Sequence, residues 1–230
     1  MVIGVGVAIY FSHLAAKKRR EALRAIAGQL GWDFAPSRDT HHDEEYAHFE
    51  IFRRGHSRYA YNTMYGTATI GGHTHPAKMG DFEYKVTSSN GKTTTTTTYT
   101  FSYLIVHLPF SGVPDLLIRR EGMLDKLAGL VGFDDIDFES AEFSRRFLVK
   151  SPDKRFAYDV IDPRMMEFLL GAEPPAIDIE RGRLCIADGR SKWQPAGFLN
   201  YLRFADQFLT RWPEHVVASL ESHARHQEFA

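Results

Sequence analysis

The sequence predicts an α+β protein: an antiparallel sheet of hairpins packed by helices, preceded by one N-terminal transmembrane helix. Three observations carry this expectation. Apolar and polar residues alternate with period two through much of the stretch from residue 48 to 120. Two hairpin signals stand out, Asn90-Gly91 between alternating arms and Arg181-Gly182 between Ile177/Ile179 and Leu184/Ile186. The chain opens on an apolar run, Val2 to Ala16, followed at once by Lys17-Lys18-Arg19-Arg20.

A membrane-spanning helix needs about 20 apolar residues, with a lower limit of about 17. The opening run is slightly short, and Ser12 and His13 weaken it. Lys17 and Lys18 lend their aliphatic stems to its length, and Tyr10 and Phe11 lie near the charged end, as an interfacial belt would. A secretory signal carries its positive charge ahead of the apolar segment, whereas here the charge follows. Basic residues stay on the cytoplasmic side. The expectation is therefore a single-pass anchor in the cell membrane over residues 1–16, a juxtamembrane helix over 17–31, and a soluble domain over 32–230 facing the cytoplasm. An interfacial helix or a buried core helix is the competing reading.

The chain has 230 residues and a net charge of −1. About 210 residues after the anchor make one large domain or two small ones, with a sub-boundary best placed at 132–140. Near-neutral charge argues against a nucleic-acid partner. The single cysteine, Cys185, forms no internal disulfide and reads as a small buried hydrophobe.

The elements follow from local pattern. Leu23, Ile26 and Leu30 repeat at helical spacing, and Gly31 is a natural stop. Residues 33–45 are polar and read mostly as loop. Residues 48–53 and 58–64 read as strands. The Gly-, Thr- and His-rich stretch 66–80 reads as a mobile loop. Phe82, Tyr84 and Val86 alternate into the Asn90-Gly91 turn, and a Thr-rich arm returns to Tyr99, Phe101, Tyr103 and Ile105. Threonine is β-branched, so Thr93 to Thr98 reads as a solvated hairpin arm. From Leu104 to Leu108 both faces turn apolar, which predicts cover on both sides. Residues 116–119 form another strand, 121–130 a helix, and 143–149 a strand. Ser151-Pro152-Asp153 reads as a helix start with proline at the first helical position, and Asp162-Pro163 repeats the device. Residues 195–211 place Phe198, Leu202, Ala205 and Leu209 on one stripe, with a break at Pro213 and a further helix to about Arg225.

Candidate chemistry is sparse. His73 and His75, at i and i+2, would face one way on a strand and share a metal, although no third ligand stands at a recognisable spacing. Lys17, Lys18, Arg19 and Arg20 are candidate contacts to anionic lipid headgroups. His41 to Glu45 and the acidic turn Asp134, Asp135 and Asp137 read as solvated surface. Arg119-Arg120 and Arg145-Arg146 read as salt-bridge partners, and Met165-Met166 as core packing. No phosphate loop, dinucleotide fingerprint, nucleophile elbow or zinc-finger spacing is present. The residues point to no cofactor.

The segment from Ala141 to Leu170, with Phe143, Phe147, Val149, Asp153, Tyr158, Pro163, Met166 and Leu169 in place, resembles a family of uncharacterised bacterial proteins. Members of that family are anchored in the membrane by the N-terminus and carry a soluble domain of unknown function. The resemblance implies an anchored cytoplasmic domain with no assigned catalytic residues.

These readings together imply a membrane-tethered cytoplasmic binding or scaffolding module rather than an enzyme, with the membrane as one partner and a protein on the same bilayer as another. The alternatives are a metal-dependent membrane-associated enzyme using His73 and His75, and an anionic-lipid headgroup sensor using Lys17 to Arg20.

Overall fold

The Asn90-Gly91 turn joins the third and fourth strands, in spatial order, of an eight-stranded antiparallel sheet. The computed structural model describes residues 2–110, 112–122 and 135–228. The elements in chain order are α1 (Val2–Leu30), β1 (Asp33–Ala35), α2 (His42–Glu45), α3 (Glu50–Arg53), β2 (His56–Ile70), β3 (His73–Ser89), β4 (Thr94–His107) and β5 (Leu116–Arg120), then α4 (Ala141–Arg146), β6 (Phe147–Lys150), α5 (Lys154–Val160), α6 (Pro163–Ala172), β7 (Ala176–Glu180), β8 (Arg183–Ala187), α7 (Pro195–Thr210) and α8 (Glu214–Glu228). The strand order is β1-β2-β3-β4-β8-β7-β5-β6. Strands from either side of the expected sub-boundary at 132–140 pair within this one sheet.

Each face of the sheet carries a core, and the outer end of the β3–β4 hairpin projects beyond both. One face carries the larger core, in which Met64, Met79, Leu104, Val106 and Ile186 meet Leu23 and Ile26 of α1 and Phe198, Phe204 and Phe208 of α7. The other carries a smaller aromatic core, in which Phe82, Phe101, Tyr103 and Ile105 meet Tyr46 and Phe49, which flank α2 and α3, and Phe52 of α3, with Cys185 among them. Odd and even residues of β4 therefore feed different cores, as the two-sided apolar run beginning at Leu104 predicts.

The N-terminal transmembrane helix is not found. Among the described residues no helix is long and apolar enough to cross a membrane. The physical reason lies in both halves of α1. Its apolar run stops at Ala16, short of a bilayer's thickness. Its second half continues unbroken through the basic cluster to Leu30 and packs into the larger core through Leu23, Ile26 and Ala27. Gly31, at φ +67°, ends it in the left-handed region.

Four other expectations are corrected. Residues 66–80 are not a loop: β2 and β3 run on to a tight turn at Gly71-Gly72, pairing Gly66 with Ala77 and Ile70 with His73. Threonine and glycine in this stretch read as loop composition, but burial of Ala68, Ile70, Ala77 and Met79 against the core holds it as sheet. Residues 48–53 are not a strand: Phe49 precedes the short α3, whose Ile51 and Phe52 are buried in the aromatic core. Residues 33–45 contain β1 and α2. The expected strand at 143–149 starts as α4 and becomes β6 only at Phe147.

The capping signals are where the sequence puts them, with one shift. The Asp162 side chain accepts the Met165 N–H and Pro163 opens α6. At α5 the cap is Asp153, accepting from Phe156 N–H, so Pro152 lies outside the helix. Residues 123–130 of the expected helix at 121–130, and Asp134, lie outside the described residues.

Candidate functional site

The sequence candidates divide sharply once folded. Of the four basic residues, Lys17, Lys18 and Arg20 are exposed, and Lys17 sits 3.9 Å from Glu21 one turn on. Arg19 instead turns into the protein. Its guanidinium donates to both carboxylate oxygens of Asp81, at 2.6 and 2.8 Å, to the Trp193 carbonyl at 2.7 Å and to Ser102 Oγ at 3.2 Å. Asp81 is fully buried and also accepts from Asn62 Nδ2 at 3.1 Å and Ser102 Oγ at 2.7 Å. A buried carboxylate needs such a set of donors, and this one fastens α1 to β2, β3 and β4. As a lipid contact Arg19 is therefore spent, because its charge is satisfied internally.

His73 and His75 do face the same way from β3, and they line one pocket. His73 is exposed, whereas His75 is buried. The pocket, about 730 Å³ in volume, lies where the β2–β3 turn meets the end of β4, the C-terminus of α7 and α8. Ile70, Leu108, Phe110, Leu209, Trp212 and Val217 give it apolar walls, and the histidines with Thr210 and Glu221 are polar groups in its lining. No group of three His, Cys, Asp or Glu side chains able to hold a metal ion occurs among the described residues.

Two contacts fix the pocket's shape. The Gly71 N–H donates to Asp206 Oδ1 at 3.0 Å, which ties the β2–β3 turn to α7. Trp212 is packed edge-on against Phe156 and Phe208 and parallel to Phe110. Its indole Nε1 is buried with no hydrogen-bond partner among the described residues, an uncommon state for a tryptophan donor. No sequence signal announces this site. Its walls come from three segments, 70–75, 108–110 and 209–221, which only the fold brings together.

Other titratable groups are perturbed by burial rather than gathered for chemistry. His42 is fully buried among Tyr46, Phe52, Phe82 and Tyr103, and neither ring nitrogen has a partner among the described residues. Burial first, and the charge of Lys78 second, hold it well below the ordinary histidine value. Burial also lowers His48 to about 4 and raises Glu180 to about 7, the latter with help from the nearby Asp115 charge. Cys185 is buried, and its thiol is pushed up by burial and by Asp178, so it is no nucleophile.

Of the paired arginines, Arg120 and Arg146 are salt-bridged as expected, and both reach Glu173. Met165 is core, whereas Met166 lines a separate surface cleft with Tyr158 and Leu170.

No family model matches the chain, and no curated protein matches it in sequence. Comparison of folds finds a likeness to the crystal structure of the mycobacterial trehalose monomycolate transport factor A, TtfA, with a TM-score of 0.57 and 15% sequence identity, covering 86% of this chain and 96% of that one. At this identity the likeness is one of fold.

Proposed function

We propose that this chain is a binding module rather than an enzyme, and that its ligand is an apolar or amphiphilic small molecule held in the pocket beneath the β2–β3 turn. The observation that carries this reading is the pocket's lining. Its walls are mostly aliphatic and aromatic with a few polar side chains among them, and its volume lies within the range of about 300–1,000 Å³ typical of small-molecule sites. The neighbour of like fold is named as a transport factor, which accords with the reading by analogy of fold.

Titration of the full chain with the fluorescent fatty acid cis-parinaric acid tests it. The expected result is saturable binding at one site, weakened at least tenfold by Leu209→Trp, which fills the pocket, at an unchanged melting temperature. Absence of saturable binding, or binding indifferent to Leu209→Trp, overturns the reading.

A second reading concerns location. The first half of α1 leaves Tyr10 and Phe11 exposed, at 64% and 61%, just ahead of the exposed Lys17, Lys18 and Arg20. This arrangement suits contact with an anionic membrane surface without crossing it, each cation adding about 1 kcal/mol. Flotation of the full chain with vesicles of neutral lipid, with and without phosphatidylglycerol, tests it. Binding that requires phosphatidylglycerol and is lost in Lys17→Glu/Lys18→Glu/Arg20→Glu supports it, and equal binding to both vesicles refutes it.

A further inference from the structure

The β3–β4 hairpin runs on past the strands that flank it. β2 accompanies β3 only as far as the His56–Lys85 pair, and β8 accompanies β4 only over Tyr103–His107. Beyond those points Thr94–Thr98 pairs only with Val86–Ser89 and Lys85 of β3. The Ser102 N–H donates to the Ser191 carbonyl at 3.1 Å, the last backbone bond on that side of β4 among the described residues. Along a strand the backbone groups of alternate residues point to alternate sides. Thr100, Thr98, Thr96 and Thr94 therefore direct their N–H and C=O groups the same way as Ser102, to an edge where no described strand lies.

Natural sheets protect such edges with lysine, proline, a bulge or shortness. Residues 94–100, TTTTTYT, contain no charge, proline or glycine, and their register with β3 has no shift. All but Thr100 are exposed.

We propose that this edge is a strand-addition interface, and that its occupant is a second copy of this chain paired antiparallel about a two-fold axis through Thr97. Three features support that occupant. A two-fold at Thr97 sets Thr94 opposite Thr100 and Thr96 opposite Thr98, so every outward donor meets an outward acceptor. The side chains brought together are threonines, whose hydroxyls already bridge neighbouring strands here, as between Thr87 and Thr96 at 2.9 Å. Recognition of a foreign extended peptide relies on pockets for its alternate side chains; a threonine edge offers none, whereas its own sequence matches it. A two-fold pair is also the closed arrangement most common among homo-oligomers.

Sedimentation equilibrium of the full chain over a wide concentration range tests the proposal. The expected result is a reversible dimer. Thr98→Pro removes an outward N–H without touching a bond to β3, since proline is tolerated where the N–H faces away from the sheet. Thr96→Lys installs the charge that edges normally carry. Each is expected to weaken dimerisation at least tenfold while keeping the wild-type circular dichroism. A chain that stays monomeric at all concentrations overturns the proposal, as does a dimer indifferent to Thr96→Lys. Capture of an unrelated extended peptide by a monomeric chain overturns it as well.

Discussion

The guanidinium of Arg19 meets the carboxylate of Asp81 through two hydrogen bonds, 62 residues apart in sequence, on a carboxylate with no exposed surface. Removing one partner of such a pair leaves the other buried and uncompensated, a loss of about 3–5 kcal/mol. Asp81→Ala is expected to lower the unfolding free energy read from urea melts by that amount. Arg20→Ala, one residue along the helix from Arg19 and exposed, is expected to change stability by less than about 0.5 kcal/mol. Equal effects of the two substitutions would show that α1 is not fastened through Asp81.

The buried His42 makes stability fall in acid. Its imidazole is held below the ordinary value of 6.5, so the unfolded chain binds the proton more readily than the folded one. The contribution is fully present above pH 6.5 and is lost as the pH drops below it, with a slope approaching about 1.4 kcal/mol per pH unit until the folded group itself protonates. His48, lowered to about 4, acts in the same sense. Glu180, raised to about 7, acts oppositely, because between 4.5 and 7 the folded state holds its proton better. Comparing His42→Phe with wild type cancels both. The variant's stability relative to wild type is expected to rise from pH 7.5 to pH 5 in urea melts, and a difference independent of pH would refute the assignment.

Much of the fold is legible in sequence because its signals are local. Asn90-Gly91, Asp162-Pro163 and Arg181-Gly182 act through their own backbone and their immediate neighbours, and each lies where the chain turns or a helix begins. The errors arise where distant partners decide. Arg19 belongs by pattern to a basic cluster, and nothing near it announces Asp81. The stretch 66–80 has the composition of a loop, and only the core beneath Ala68, Ile70 and Met79 makes it sheet. Phe49, Ile51 and Phe52 alternate loosely enough to read as a strand, yet they cap the aromatic core from short helical turns. His73 and His75 are visible as a pair; the apolar pocket that gives them a context is not, since Trp212 and Leu209 lie far along the chain.

Two glycines are expected to respond to alanine with opposite signs. Gly28 lies inside α1, where an added Cβ meets nothing within 4 Å, so Gly28→Ala is expected to stabilise by about 0.5–1 kcal/mol. At Gly66 the added Cβ would fall 2.6 Å from the Trp32 ring, which packs there and donates its Nε1–H to the Thr67 carbonyl. Gly66→Ala must displace that indole, at a cost of about 1–3 kcal/mol. Thermal melts of the two variants check both, and a stabilising Gly66→Ala would show that Trp32 does not lie against β2.

Among the described residues one side-chain hydrogen bond clips the β2–β3 turn to α7. Asp206 accepts the Gly71 N–H at 3.0 Å, and Thr210, one turn along α7, touches the same turn. Without that carboxylate the turn keeps its strand pairing but loses its tie to the helix. Asp206→Ala is expected to reduce global stability by only about 0.5–1.5 kcal/mol, the worth of one hydrogen bond. Its larger effect falls on the site: faster amide exchange at Gly71 and Gly72, and weaker cis-parinaric acid binding because the wall carrying Ile70, His73 and His75 is no longer held against Leu209 and Trp212. Asp206→Asn, which keeps an acceptor oxygen, is expected to restore both. Unchanged exchange at the turn in Asp206→Ala would show that strand pairing alone shapes the pocket.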